Sequence, residues 1–233
     1  MSNADRKVVV TRWWWVRHAP VRSDGGNIYG QSDIACDTSD REVFEAVAKI
    51  LPREAVWVAS NLQRTHQTAA AIWAAGFPKP ASMAKDAAFA EQHLGQWQGM
   101  NRAAFLASRP PGSHWFADIN ERVPGGESFM DLYHRTKAAI ERLTAEHAGR
   151  DVIAVGHGGT IKAAVGLALG GLAEHGLAFD IDNCSVTRLD HFVNAGRSNW
   201  RLPFVNQQPW IADARHSAMH QPAGPEVETR KLA

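Results

Sequence analysis

Arg17-His18, Arg64 behind Ser60-Asn61, and His157 ahead of Gly158-Gly159 are the residues whose types could do chemistry together. Guanidiniums fork onto anionic oxygens, and imidazoles donate or accept at two ring nitrogens, so the set suits a small local anion. No member is informative alone. With 18 Arg and 11 His in the chain, about one Arg-His dipeptide is expected by chance, and a second one stands at Arg215-His216. A lone His before Gly-Gly is more often structural, and Arg64 taken singly reads as a solvated surface charge. Their shared position is what counts: Arg17-His18 and His157 stand just behind segments that read as β-strands, Arg64 comes after Ser60-Asn61 behind another, and open α/β sheets bind ligands beyond the carboxyl ends of their strands.

The positioning elements follow from patterning. Residues 8–16, β-branched and aromatic without clean alternation, predict a strand covered on both faces. A loop from Ala19 to Asp37 leads to a helix with Ser39 and Glu42 at capping-box spacing, ended by Pro52. Residues 55–59 predict a second strand, and 64–75 a helix closed by Gly76. A short helix near 100–107, a Pro, Gly and aromatic insertion over 109–126, and a long helix from Ser128 to about His147 come next. Residues 151–155 predict a strand, 158–169 a helix, and 184–193 with 200–205 two closing strands. This alternation predicts an α/β fold, a three-layer α/β/α sandwich with a mainly parallel central sheet. Residues 1–206 are expected to form the catalytic domain and 207–233 a C-terminal tail, docked in part through Trp210 and otherwise mobile.

Composition narrows the function classes. The 233 residues are 45% apolar and 21% charged, with a formal net charge of +1, so the chain can bury a core but has no basic field for nucleic acid. Cys36 and Cys184 make no disulfide framework, and no Cys/His spacing suggests a metal. Neither a signal peptide nor a membrane-spanning run is found, so a soluble cytoplasmic protein without nucleic-acid or membrane partners is expected. Nine tryptophans would permit an apolar contact face, and hence a homodimer.

Six segments in order give these residues a common setting: Val16-Arg17-His18-Ala19-Pro20, Tyr29-Gly30-Gln31-Ser32-Asp33, Ser60 to Thr68, Glu91 to Gly99, Pro124-Gly125-Gly126-Glu127-Ser128 and Val155 to Lys162. Together they resemble the histidine phosphatase superfamily, in its phosphoglycerate mutase-like branch, and are similar in style to bacterial α-ribazole phosphatases. The resemblance implies His18 as a nucleophile that becomes phosphorylated, Arg17, Arg64 and His157 as the phosphate pocket, and Glu91 as proton donor. His157 is also implied as catalytic, protonated beside a bound dianion, while the arginines keep His18 neutral. Neither metal nor cofactor is implied, because the fixed cations supply the charge. Glu127 reads as a helix N-terminal residue without a catalytic role.

The expected activity is a metal-independent phosphomonoesterase acting on a small phosphorylated metabolite, with α-ribazole phosphate as one candidate. Phosphoglycerate mutase-type transfer is the runner-up, disfavoured by the 66 positions between Glu91 and His157, fewer than mutases usually have. A catalytically weakened phosphate-binding module is the third reading, because Ala19 and Pro20-Val21 depart from the family pattern and Asp24 puts a carboxylate where an amide is common. That carboxylate is expected to turn outward or to pair with Arg22. Lys162 stands where Arg is common.

Overall fold

The computed structural model describes residues 8–109 and 115–211. The predicted tail beyond Ile211 therefore lies outside the described residues.

The first strand, β1 (Val9–Arg17), sits inside a six-stranded sheet. Helix α1 (Arg41–Ile50), β2 (Val56–Ala59), α2 (Gln63–Ala74) and β3 (Met83–Lys85) follow, then a short α3 (Arg102–Ala107) and the long α4 (Phe129–Glu146). The strand β4 (Asp151–Gly156), α5 (Gly158–Ala168), β5 (Val186–Asn194) and β6 (Arg197–Gln207) complete the order. Across the sheet the strands run β3-β2-β4-β1-β5-β6. The pairs β3/β2, β2/β4 and β4/β1 are parallel, whereas β5 and β6 close one side antiparallel. The predicted three-layer α/β architecture is thus the one observed.

Side chains of β1 alternate between two cores. Trp13 and Trp15 stack at 5.5 Å and pack with α4 and α5, while Trp14 and Val16 face the core formed with α1 and α2. Both faces are covered, which is why the strand lacks a polar register. Helix α1 is capped one residue later than the sequence suggested: the Asp40 side chain, not a Ser39-Glu42 box, accepts from Val43 N–H. The box is found instead on α4, where Ser128 and Asp131 cap each other. Strand β3 was not predicted, because three residues ending in Lys85 carry no periodic signal.

Consecutive neighbours β2, β4 and β1 all point the same way, so Ala59, Gly156 and Arg17 end at one edge of the sheet. Adjacent strands lie about 4.8 Å apart, which brings the residues that follow them into contact range without any further device. Among the described residues no helix is long and apolar enough to cross a membrane.

Candidate active site

At that edge the structure brings His18, Arg17, Arg64 and His157 together. The two imidazoles lie 5.1 Å apart between ring centroids. His18 follows β1 and is 1% exposed; its Nδ1 lies 2.7 Å from the Ala19 carbonyl oxygen. A carbonyl only accepts, so Nδ1 holds the proton and a neutral imidazole keeps a free lone pair on Nε2. Burial, and then the positive charges of Arg64 and Arg17, hold the His18 pKa well below the usual imidazole range. The sequence argument named the two arginines; burial is the larger cause. Asn183, ahead of β5, fixes the backbone by donating to the His18 carbonyl at 2.7 Å, and Thr68 accepts from Ala19 N–H at 2.8 Å.

Arg64 enters on the first turn of α2, fully buried. Its guanidinium donates to the Gly30 and Ser32 carbonyls at 2.7 and 2.8 Å, and its Nε donates to His157 Nδ1 at 3.3 Å. No carboxylate lies within ion-pair distance of Arg64 or Arg17 among the described residues. Arg17 donates from Nη1 to the Ile181 carbonyl, and its buried Nε–H has no partner. A buried guanidinium without a counter-charge, as in Arg64, or a buried N–H without a partner, as in Arg17, is costly unless an anion arrives.

His157 is tied to its neighbours through both ring nitrogens. Its Nδ1 accepts from Arg64, so the proton of the neutral ring sits on Nε2 and is donated to Ser60 Oγ at 2.8 Å. Burial first, then Arg64, His18 and Arg17, push its pKa well below the ordinary value. In this arrangement His157 is neutral, buried and with the Arg64 guanidinium on its free nitrogen; the protonation expected of it belongs to the state with a bound dianion.

Glu91 is held at the start of α5. Its Oε2 accepts from Gly159 N–H at 3.2 Å and its Oε1 from Gln92 N–H at 2.9 Å. Gly159 is required there: a Cβ would come within 2.3 Å of Glu91 Oε1. The Glu91 carbonyl accepts from Arg135 and from Gln31, each at 2.8 Å. Arg135 also reaches the Ala88 and Ala90 carbonyls and forks onto Glu127, so Glu127 anchors the arginine that shapes the Glu91 loop. Sequence reasoning missed Arg135, Asn183 and Ser60 as parts of this arrangement. Only Ser60 had a local signal, since it directly follows β2.

A cavity of about 320 Å³ opens over the cluster. Arg17, Glu91, Gly158, Tyr29 and Gly30 are among its lining, and His18, Arg64 and His157 lie buried behind them. Of these, Tyr29 stands against the cluster: its ring centre is 6.4 Å from that of His18 and 5.2 Å from the Arg64 guanidinium carbon. Trp115 and Phe116 form the outer wall. Asp24 also lines the cavity, yet it pairs with Arg102 at 3.3 Å, not with Arg22, which binds Asp37 instead. Its charge is offset within the wall. Cys36 and Cys184 are both free thiols.

The model of the histidine phosphatase superfamily, branch 1, matches residues 13–203. A glucosyl-3-phosphoglycerate phosphatase of Mycolicibacterium vanbaalenii is 31% identical over 223 residues, covering 88% of this chain and 98% of that protein. The native structure of a mycobacterial glucosyl-3-phosphoglycerate phosphatase superposes with a TM-score of 0.70 at 27% identity, over 84% of this chain and 99% of that one. An α-ribazole phosphatase structure from Shigella flexneri has a TM-score of 0.66 at 20% identity, covering 84% and 96%, a likeness of fold alone.

Proposed function

The chain belongs to the histidine phosphatase superfamily, and from that premise we propose that it is a metal-independent phosphomonoesterase working through a phosphohistidine on His18. The observation that carries the reading is the state of His18: buried, neutral, with Nδ1–H committed to Ala19 and two arginines near it that lack carboxylate partners.

The steps follow from the atoms. The Nε2 lone pair attacks phosphorus, the P–O ester bond breaks, and protonated Glu91 gives its proton to the departing alkoxide. A substrate phosphate next to Glu91 favours that protonated form by like-charge repulsion. Arg17 and Arg64 stabilise the charge on the equatorial oxygens. For Arg64 this means turning Nε–H from His157 to phosphate, and His157 Nδ1 then takes up a proton from solvent and donates to the same anion. Water next attacks the phosphorus of phosphohistidine, Glu91 accepts its proton, and the P–N bond breaks to release orthophosphate.

Two of the positions that motivated a weakened module have partners of their own. Ala19 N–H is used by Thr68, and the Asp24 charge is met by Arg102. Among substrates, the similarity to glucosyl-3-phosphoglycerate phosphatases supports a phosphorylated sugar acid ahead of α-ribazole phosphate. The test is turnover of 4-nitrophenyl phosphate in excess chelator, with an acid-labile, base-stable phosphoenzyme trapped on mixing. Both should be present in the wild type and absent in His18→Ala. Turnover surviving in that variant, or lost with the chelator, refutes the reading; net transfer of phosphate between substrates without release would assign a mutase.

A further inference from the structure

We propose that the leaving alcohol carries a second anionic group, and that Lys162 is the residue that recognises it. This rests on the phosphatase reading above and adds the substrate class.

The first observation is a charge without a partner. Lys162 lines the cavity and is 9% exposed, yet no carboxylate lies within ion-pair distance of its ammonium among the described residues. Its Nζ donates to the Leu177 carbonyl at 3.2 Å and lies 5.4 Å from the centre of the Trp115 ring. Both are neutral acceptors. Burial accordingly holds its pKa below the usual range, with Asp180 and Glu91 opposing from a distance and Arg17 adding to the effect. Burying an unpaired ammonium is unfavourable, and ordinary cores neutralise such a group. This protein does so elsewhere: Arg102, on the same cavity wall, has Asp24, and Arg135 has Glu127.

Charge balance makes the second point. Arg102 is paired with Asp24, and the two arginines at the floor face the two charges of a phosphate dianion. Lys162, with Asp180 acting only from a distance, is left without an ion pair of its own.

Spacing is the third. Lys162 follows Gly158 by four residues on α5, so the two share a face of the helix. Gly158 belongs to the phosphate end, with Arg17 Nε only 3.6 Å from where its Cβ would stand. Four residues of helix rise about 6 Å, the distance between a phosphoryl group and an anionic group two or three bonds beyond the ester oxygen. An alternative role, in which Lys162 only braces Trp115, predicts equal effects on every ester.

The matched probes are 3-phosphoglycerate and glycerol 3-phosphate, which differ by a carboxylate in place of a hydroxymethyl group. Wild type should prefer 3-phosphoglycerate in kcat/KM by about 10- to 100-fold, the range for a hydrogen bond to a charged group. In Lys162→Met, which keeps the apolar stem, that preference should fall to near unity, and Lys162→Arg should restore most of it. Equal turnover of both esters by wild type, or a fall in Lys162→Met that leaves their ratio unchanged, overturns the proposal while the phosphatase reading stands. Absence of turnover on these esters and on 4-nitrophenyl phosphate overturns both.

Discussion

Arg64, buried, and Arg135, half-buried, bear the same side chain and each ties down several acceptors, yet they serve opposite ends. Arg135 bonds the carbonyls of Ala88, Ala90 and Glu91 and completes its charge with a forked pair to Glu127. Arg64 bonds the carbonyls of Gly30 and Ser32 and a ring nitrogen of His157, and has no carboxylate. Desolvation lowers the pKa of Arg64, whereas the Arg135 pair instead draws the Glu127 carboxyl below its ordinary value. A compensated guanidinium is scaffold. An uncompensated one is tolerated where an anion is to be held, and its unfavourable burial is offset when that anion binds.

The widest separation between the two should appear in Arg64→Met. Loss of a preorganised donor to the transferring phosphoryl should lower kcat/KM for 4-nitrophenyl phosphate by about 10³-fold or more, while stability falls by only about 1 kcal/mol, since removing an unpaired buried charge offsets the acceptors it leaves. Steady-state kinetics and urea denaturation of the same preparation read both numbers. A variant that unfolds as readily as it loses activity would erase the distinction.

Arg135→Met should invert the pattern. It strands the Glu127 carboxylate and three carbonyls, at about 3 kcal/mol of stability, a fall in Tm of roughly 10 °C for a chain of this size. Removing both partners, in Arg135→Met with Glu127→Gln, should recover much of that loss, because the unpaired charge is gone. If the double variant is as unstable as the sum of the two singles, the pair is not the reason for the burial.

Glu91 lies where the two regions meet, with its backbone on Arg135 and its carboxylate at the cavity. Glu91→Gln keeps the shape and removes the proton. It should slow an alkyl phosphate by about 10²-fold and an aryl phosphate, whose leaving group needs no proton, far less. Equal slowing of the two would show that the carboxylate acts on the loop rather than on the leaving oxygen.

The two arginines also separate what could be read in advance. His18 and His157 were legible because each follows a strand, and Arg64 because it opens the helix that comes just after one; parallel topology turns that sequence position into a place in space. Glu91 follows no strand and was legible only through resemblance to a family. Arg135 lies in mid-helix, 44 residues from the Glu91 carbonyl it bonds, and helical periodicity says nothing of such a contact. The neutral tautomer of His157 escaped for another reason. It depends on which of two ring nitrogens the guanidinium reaches, and strand-end logic places residues, not hydrogen bonds. The Asp24-Arg102 pair was missed likewise, since Arg22 was nearer in sequence but the chain turned it toward Asp37.

His157 gives the finest test of the contrast, because burial and then the uncompensated arginine hold it neutral. His18 and His157 both have folded-state pKa values depressed below the unfolded value of about 6.5. The stability they contribute is therefore complete above about pH 6.5. It declines as pH falls from there toward the lowered folded values, since the unfolded chain takes up protons that the folded one refuses. Each imidazole should contribute about 1.4 kcal/mol per pH unit in that window. His157→Gln, whose amide can still accept from Arg64 and donate to Ser60, should cut the dependence between pH 6.5 and 5 by about that amount. His191, far from the cavity and also held low by burial, titrates alike in both proteins and drops out of the difference. Inorganic phosphate should flatten the wild-type profile in the same window if the bound dianion lets His157 take its proton. An unchanged slope in His157→Gln would mean that the folded protein does not hold this ring neutral.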